Sequence, residues 1–297
     1  MTGLGDAALT VRLVAVDLDG TALRASGAIS RATRRAMHLI RRHGAIVCVA
    51  TGRAPLAARH YARVLGAAGP LICLDGALVL VGEHALVDRP LPAEHVASVV
   101  ALAEAAGGGW IALTRRGRVH GGPSRRPPQA SLGQVLRHPG RSLRFLRTVW
   151  RESHRWSPSA PGEPVYKLLL WAPPGAAREN LEASVARLPV HVPSPKGATM
   201  EVVAPGVDKG CALDVVARHL GLEPAHIVAF GDARNDVEML AYAGRGVAMG
   251  GAPLEVLAVA DAQTESAQRD GLAREIHRML RAATPAAPPP ATFRHQA

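Results

Sequence analysis

The stretch Val14-Ala-Val-Asp-Leu-Asp-Gly-Thr21 decides the fold. The apolar run that ends at Val16 predicts a buried strand of a parallel sheet. Two aspartates, Asp17 and Asp19, follow directly where this strand ends. Because residues at i and i+2 of a strand point the same way, both carboxylates can reach one site beyond its carboxyl end.

Two carboxylates at this spacing repel each other unless a cation or a shared proton lies between them. A hard cation such as Mg²⁺, which prefers oxygen ligands, suits this pair. The alternative interpretation is structural, an Asx-rich turn that caps the strand. The choice between the two depends on what the rest of the chain brings to the same place.

Composition limits the class of protein. The 297 residues are enough for one large domain or two modest ones, and 48% are hydrophobic although only 3% are aromatic. The sequence has no apolar run of about 18 residues, so it predicts no membrane span. Residues 1–10 lack the basic and apolar regions of a secretory signal. These features predict a cytoplasmic protein.

Three cysteines, Cys48, Cys73 and Cys211, are far apart in the chain. Their number is odd and their spacing matches no metal-binding motif. Most of them lie in apolar runs, so we expect reduced cysteines in the core.

Strands and helices alternate along both ends of the chain, which predicts a parallel sheet with crossover helices. Further strands are expected at 45–50, 70–74, 227–230 and 245–249. Helices are expected at 29–43, 55–66, 208–220, 237–243, 253–258 and 271–282. Ligands bind at the carboxyl ends of the strands in such sheets.

The middle of the chain has a different pattern, with hairpins mixed among helices. Strands are expected at 78–81, 85–87, 110–113, 118–120, 166–172, 190–192 and 200–203, and helices at 93–106, 142–150 and 176–186. We therefore predict an α/β fold: a Rossmann-like parallel sheet core formed by 1–78 and 195–283, with an inserted α+β domain at 79–194. The Pro/Ala-rich residues 284–297 are expected to be a disordered tail.

Polar residues follow several of the core strands. These are Asp17 and Asp19, Thr51-Gly52, and Asp232 with Asn235 and Asp236, and Lys209 opens a helix nearby. Neighbouring strands would bring them into one cleft that holds carboxylates, a hydroxyl, backbone N–H groups and one ammonium. Phosphoryl transfer requires a nucleophile, a divalent cation and a positive charge of this kind.

With these residues, the chain resembles the haloacid dehalogenase (HAD) superfamily of phosphatases over about residues 11–280. The branch it resembles is the Cof-like one, which carries a large α+β cap of the C2 type. The matching stretches are Asp17-Leu-Asp-Gly-Thr21, Ala50-Thr-Gly-Arg53, Gly206-Val-Asp-Lys-Gly210 and Gly231-Asp-Ala-Arg-Asn-Asp236. The inserted domain would then be this cap.

The resemblance implies a role for each catalytic residue. Asp17 would attack phosphorus and form an aspartyl-phosphate. Asp19 would protonate the leaving oxygen and then activate water. Thr51 and the Gly52 N–H would bind phosphoryl oxygens, and Lys209 would bridge the phosphate and Asp17. The structural alternatives are a turn residue for Thr51 and an exposed first-turn lysine for Lys209.

The resemblance also implies a Mg²⁺ site. Its ligands would be the Asp17 and Asp232 carboxylates and the Asp19 backbone carbonyl. Asn235 and Asp236 would hold metal-bound water or those ligands, although Asp236 could merely cap the next helix.

Substrate binding is predicted for Gly52, Arg53, Asp75, Gly76 and Lys167. Arg53 belongs to the second matching stretch. For Lys167 the structural alternative is a side chain that extends from a sheet edge to solvent. Asp75 stands where this branch usually has asparagine, a departure that bears on substrate contacts rather than on the chemistry.

The positive charge is concentrated in one segment, Arg115–Arg155, with eleven arginines, no lysine and one acidic residue, Glu152. Three interpretations stay open: a solvated basic loop, a positive lid that attracts anionic substrates, or a surface for nucleic acid or another polyanion.

The sequence therefore predicts an enzyme, a Mg²⁺-dependent phosphatase. Its substrate would be a small phosphorylated metabolite such as a sugar phosphate, a nucleotide or a cofactor phosphate. One alternative is a phosphomutase or other phosphotransferase of the same superfamily. Another is a polyanion-binding protein that uses the basic segment, in which the catalytic residues would be vestigial. The sequence makes no prediction about the oligomeric state.

Overall fold

A computed structural model describes residues 11–123, 163–193 and 199–283 of the chain. Twelve strands fall within these ranges: β1 Leu13–Val16, β2 Ile46–Ala50, β3 Leu71–Cys73, β4 Leu78–Val81, β5 His84–Asp88, β6 Gly109–Leu113, β7 Arg118–Gly121, β8 Lys167–Trp171, β9 Met200–Val203, β10 Ile227–Gly231, β11 Arg245–Ala248 and β12 Ala262–Gln263. The described α-helices are α1 Arg31–Arg42, α2 Pro55–Leu65, α3 Ala93–Ala105, α4 Ala176–Val185, α5 Lys209–His219, α6 Val237–Tyr242, α7 Leu254–Leu257 and α8 Gly271–Ala283.

The larger sheet has eight strands in the order β12-β11-β10-β1-β2-β3-β4-β5. The strands from β12 to β3 are parallel to one another, and the β4–β5 hairpin adds two antiparallel strands at the edge. Crossover helices connect the parallel strands, as the alternating pattern predicted. The prediction of an α/β, Rossmann-like core is confirmed.

Both faces of this sheet are covered, which explains why its central strands are apolar throughout. In β1, Val14 and Val16 pack into the core on one face together with α1, α2 and α8. Leu13 and Ala15 point to the opposite face, against α5, α6 and α7. Alternate side chains of this four-residue strand therefore belong to the hydrophobic cores on the two faces of the sheet.

Side-chain caps begin two of these helices. The Ser30 hydroxyl accepts a hydrogen bond from the Thr33 N–H at 2.9 Å, which begins α1. The Asp208 carboxylate accepts one from the Cys211 N–H at 2.7 Å, which begins α5. Such caps satisfy backbone N–H groups that have no partner inside the helix. The cap at Asp208 places Lys209 in the first turn of α5.

The smaller sheet is antiparallel, with the order β7-β6-β8-β9. Helices α3 and α4 pack against each other, and α3 also packs on β6 and β8. This unit is the predicted α+β insert.

The predicted limits of the insert, 79 and 194, are wrong. Strands β4 and β5 pair with the core sheet, with Leu71 opposite Leu80, so the core includes residues up to Asp88. Strand β9 pairs with β8 in the smaller sheet, so the insert extends through Val203. A hairpin has the same sequence pattern whether it extends a core sheet or starts a new one, so only the pairing decides.

Other local predictions need correction as well. Residues 190–192 form no strand, only a bridge between His191 and Val203, and β12 was not anticipated. Cys48 and Cys73 are buried free thiols, and burial raises the pKa of each to about 12. Cys211, however, is exposed because it lies on the solvent side of α5.

Several predictions lie outside the described residues. They are the helix at 142–150, the tail at 284–297, and most of the basic segment Arg115–Arg155. Among the described helices, none is both long and apolar enough to cross a bilayer.

The buried core predicts a contrast between two substitutions. Phe230 is fully buried in β10, whereas Leu254 is 83% exposed. Phe230→Ala should lower the free energy of unfolding by about 3–5 kcal/mol, because it leaves a cavity. Leu254→Ala should change it by less than about 0.5 kcal/mol. Urea unfolding followed by circular dichroism measures both, and similar losses in the two variants would contradict the packing described here.

Candidate active site

The register of three parallel strands places the predicted site residues at one edge of the core sheet. Val16 lies opposite Phe230 in β10 and opposite Val49 in β2. The chain therefore leaves β1 at Asp17 beside the ends of β10 and β2, where Asp232 and Thr51 follow. This arrangement confirms that the strand ends converge.

Lys209 lies at the centre of the cluster. Its side chain is fully buried, and Nζ contacts Asp17 Oδ1 at 2.7 Å and Asp236 Oδ1 at 2.6 Å. Burial alone would lower the pKa of Lys209, but the carboxylates of Asp17 and Asp236 hold it well above its usual range. Lys209 is therefore a buried ammonium that joins β1 to the loop after β10.

Asp236 organises the loop that follows β10. Its Oδ2 accepts hydrogen bonds from the backbone N–H groups of Asp232 and Ala233 at 2.9 and 3.0 Å. Its Oδ1 accepts the bond from Lys209. Both carboxylate oxygens are thus engaged, so Asp236 orients the loop and the lysine.

Asp232 forms no ion pair with any described residue. Its Oδ1 accepts a hydrogen bond from the Thr21 hydroxyl at 3.0 Å. Burial and the neighbouring Asp236 raise the pKa of Asp232 to about 6. Gly20, with φ +83°, passes so close that a Cβ atom there would collide with the Asp232 carboxylate. The turn after β1 therefore requires glycine at this position.

The cluster suits a divalent cation. Oxygen atoms of Asp17, Asp232 and Asp236 lie within 4.8 Å of one another. Burial raises the pKa of Asp17 well above its usual range despite the ion pair with Lys209, and the nearby carboxylates add to this effect. One ammonium does not compensate three carboxylates, and all-oxygen donors are those that Mg²⁺ prefers. Since Asp236 is engaged, Asp17 and Asp232 are the carboxylates that could hold the ion.

Asp19 points away from this cluster toward solvent. Its two carboxylate oxygens each accept a hydrogen bond from the Arg53 guanidinium at 2.7 Å, and its side chain is 60% exposed. Arg53 also lies over the Tyr61 ring at 5.2 Å. Asp19 and Arg53 therefore form an oriented, accessible pair rather than two independent groups.

A cavity of about 430 Å³ opens between the core and the cap. Its lining includes five of the predicted residues on the core side: Asp17, Asp19, Gly52, Arg53 and Asn235. Thr51 is buried behind this surface, and its hydroxyl accepts a hydrogen bond from the Arg53 N–H at 3.3 Å. The space is of the size that small-molecule sites have.

A buried ion pair connects the cap to the core across this cavity. Lys167 of the cap contacts Asp75 of the core at 2.5 Å and Glu201 of the cap at 2.7 Å. Asn235 donates to the other oxygen of Asp75 at 2.8 Å. Burial alone would raise the pKa of Asp75, but Lys167 and Lys209 hold it below its usual range. The pair is therefore charged.

The structure also gives the surroundings of four further predicted residues. Asp75 and Gly76 are buried and lie outside the cavity lining, and their contact with substrate stays a prediction. Gly76, with φ +101°, is where the chain passes the Asp208 carbonyl too closely for a Cβ atom. Lys167 lines the cavity but is already paired, and the Asn235 amide N–H₂ faces Asp75.

Sequence reasoning missed two participants. Thr21, which positions Asp232, was part of the quoted first motif and was left without a role. Glu201, which lines the cavity and pairs with Lys167, has no local signal, because its strand becomes a neighbour of β8 only in the folded cap.

Comparison with known proteins identifies the class. The haloacid dehalogenase-like hydrolase family matches residues 14–276, and the chain belongs to this family. An HMP-PP phosphatase of Cronobacter sakazakii is 30% identical over 249 residues, which cover 83% of this chain and 87% of the relative. A 5-amino-6-(5-phospho-D-ribitylamino)uracil phosphatase of Bacillus subtilis is 26% identical over 277 residues, covering 90% and 94%.

The fold is shared with solved structures of the same superfamily. A haloacid dehalogenase-like hydrolase from B. subtilis superimposes with a TM-score of 0.75 at 21% identity, covering 90% of this chain and 99% of the other. A sugar phosphatase of HAD subclass IIB superimposes with a TM-score of 0.71 at 22% identity, covering 90% and 98%. The predicted membership of the HAD superfamily is confirmed, and the chain is a phosphatase of the HAD type. Its fold agrees with the predicted Cof-like, capped branch.

The pair between cap and core predicts the effect of restoring asparagine at position 75. Asp75→Asn removes one of the two carboxylates that compensate the buried Lys167. We expect a loss of about 1–3 kcal/mol in the free energy of unfolding, limited because Glu201 remains.

The double variant Asp75→Asn, Lys167→Met should recover part of this loss, because it removes the uncompensated charge. Urea unfolding measures the three proteins. An Asp75→Asn protein as stable as the wild type would show that the pair contributes nothing to the contact between cap and core.

Proposed function

We propose that this phosphatase is Mg²⁺-dependent and hydrolyses a small phosphorylated metabolite through an aspartyl-phosphate on Asp17. The observation that carries the proposal is the buried cluster of Asp17, Lys209 and Asp236 beside the uncompensated Asp232. It supports the proposal because it combines a nucleophile, a fixed positive charge and a place for a divalent cation at the base of one cavity.

In the first step a carboxylate oxygen of Asp17 attacks phosphorus, a P–O bond forms, and the bond to the leaving oxygen breaks. Lys209 orients Asp17 through the 2.7 Å contact. The lysine also offsets part of the repulsion between this carboxylate and the phosphate. Asp236 restricts the lysine in turn, so Lys209 needs little reorganisation as the phosphate arrives.

Asp19 moves the protons in both steps. It gives a proton to the leaving oxygen in the first, and in the second it accepts one from the water that attacks the aspartyl-phosphate. The second step breaks the bond between Asp17 and phosphorus, so that phosphate leaves and the Asp17 carboxylate is restored. Arg53 holds the Asp19 carboxylate in a single orientation at the cavity wall. The Gly52 N–H and Thr51, as phosphoryl-binding groups, remain part of the proposal.

Asp17, Asp232 and the backbone carbonyl of Asp19 would hold Mg²⁺. The ion would neutralise charge on the phosphoryl group. Asp236 and Thr21 contribute by orienting the loop and the Asp232 carboxylate. Asn235 contacts Asp75, and a role for it near the ion is part of the same proposal.

The cavity and the relatives support a small organic substrate. Two relatives that align over most of the chain are named for an HMP-PP and for a phosphorylated ribitylaminouracil. A cavity of about 430 Å³ has room for a molecule of that size. No feature of the described residues favours the phosphotransferase or the polyanion-binding alternative, and both stay predictions, as does a cytoplasmic location.

The first test is phosphate release from a panel of metabolite phosphomonoesters, with Mg²⁺ or with EDTA. We expect Mg²⁺-dependent release that Asp17→Asn lowers about 10⁴-fold or more, because the nucleophile is lost. Asp214→Asn is the matched control, since Asp214 pairs with Arg218 on α5 and lies outside the cavity lining. Release that EDTA leaves unchanged, or that survives Asp17→Asn, would refute the proposed mechanism.

The second test concerns pH and the cation. The pKa of Asp232 is raised to about 6, and the ion would bind the ionised carboxylate, so protons compete with Mg²⁺ below that pH. Mg²⁺ affinity by calorimetry should therefore weaken by up to about tenfold per pH unit below about 6. Asp232→Asn should bind Mg²⁺ more weakly at pH 7 and show less of this dependence. Equal Mg²⁺ affinity in Asp232→Asn and the wild type would exclude Asp232 as a ligand.

A further inference from the structure

Four cationic side chains line the described part of the cavity, and three of them are already paired with carboxylates. Arg53 binds Asp19, and Lys167 binds Asp75 and Glu201. Arg115 contacts Asp88 of the core at 2.8 Å. These carboxylates offset the charge of the three cations and engage N–H donors that a substrate anion would otherwise take.

Arg116 differs from the other three. It is exposed, it lines the cavity, and it forms no ion pair with any described residue. A guanidinium presents several N–H donors in a planar fork that matches a carboxylate or a phosphate. Among the described residues, Arg116 is therefore the cation of the cavity wall that is available to a ligand.

The turn that carries Arg116 is held in place from two sides. Thr114 is fully buried, and its hydroxyl accepts hydrogen bonds from the N–H groups of Arg116 and Gly117 at 3.2 and 3.1 Å. Arg115 attaches the same turn to Asp88, which also accepts a bond from the Tyr166 hydroxyl at 2.6 Å. A turn fixed in this way loses little conformational entropy when Arg116 binds an anion.

The cavity wall also has an apolar part. Leu56 on α2 is 46% exposed, one of three large hydrophobic side chains exposed in the described chain. It lies with the apolar lining residues Ala54, Ala57, Leu113 and Leu169. Apolar surface of this kind favours a ring or another compact apolar group in the ligand.

From these contacts we propose that Arg116 forms a second anion-binding site in the cavity. It selects phosphomonoesters whose apolar or ring-shaped body carries a further negative group, either a phosphate or a carboxylate. Asp17 receives the phosphate that is cleaved, the apolar wall contacts the body, and Arg116 binds the other anion. This inference rests on the proposed function, because it names the substrate class of the same site.

Three synthetic substrates test the proposal with the full chain and Mg²⁺. Phenyl phosphate has no second anion, 4-carboxyphenyl phosphate adds a carboxylate, and 1,4-phenylene bisphosphate adds a phosphate. The wild type should show kcat/KM values about tenfold or more higher for the two substrates with a second anion, mainly through a lower KM. A preference for one of these two over the other would identify the source of the anion.

The variant Arg116→Gln should lower kcat/KM for these two substrates about 10- to 100-fold and for phenyl phosphate less than about threefold. Arg187→Gln is the matched control, because Arg187 is an exposed cap arginine outside the cavity lining, so the net charge changes equally. It should leave all three rates nearly unchanged. Equal losses on all three substrates in Arg116→Gln, or an unchanged ratio, would overturn the proposal.

A binding measurement separates this proposal from the proposed function. Calorimetry with phenylphosphonate and 4-carboxyphenylphosphonate does not depend on turnover. We expect tighter binding of the carboxylated compound to the wild type, and loss of that difference in Arg116→Gln. Hydrolysis without discrimination, or equal binding of the two phosphonates, refutes the second anion site alone. Discrimination in binding without any hydrolysis refutes the proposed function alone.

Discussion

The contact on which the site depends is the fully buried ammonium of Lys209 between Asp17 and Asp236. A buried charge is costly unless carboxylates and hydrogen bonds compensate it, and removing one partner leaves the other uncompensated. The three residues come from β1, the first turn of α5 and the loop after β10. These residues can meet only when β1 and β10 end, and α5 begins, at the same edge of the sheet. The electrostatic requirement and the topology therefore support each other.

The negative charges of this cluster outnumber its one positive charge. One lysine faces several carboxylates, so burial raises the pKa of both Asp17 and Asp232. The oxygens of Asp236, by contrast, accept hydrogen bonds from two backbone N–H groups and from Lys209. The excess negative charge is therefore located on Asp17 and Asp232, the two carboxylates best placed for a divalent cation.

In the cap, carboxylates likewise compensate buried or half-buried basic groups, and here the compensation is complete for Lys167. Lys167 crosses the boundary to reach Asp75, and Asn235 connects Asp75 to the loop that carries Asp232. The cap is thus attached to the core next to this loop. Lys167, Arg53 and Arg115 have carboxylate partners. A basic residue in the cavity wall is therefore not necessarily a substrate ligand. Arg116 is distinguished by its contacts, not by its residue type.

The sequence by itself determined the α/β core and the ends of its central strands, and it predicted Asp17, Asp19, Lys209 and Asp232 as the site. Strand periodicity, helix caps and polar residues after apolar runs are local signals, so they can be read without the fold. The tertiary structure alone decided that the 78–88 hairpin belongs to the core sheet and that Asp75 and Gly76 are buried. It also decided that Glu201 and Asp75 neutralise Lys167. Strand pairing, burial and charge compensation depend on residues distant in the chain, and no local pattern specifies which residues will meet.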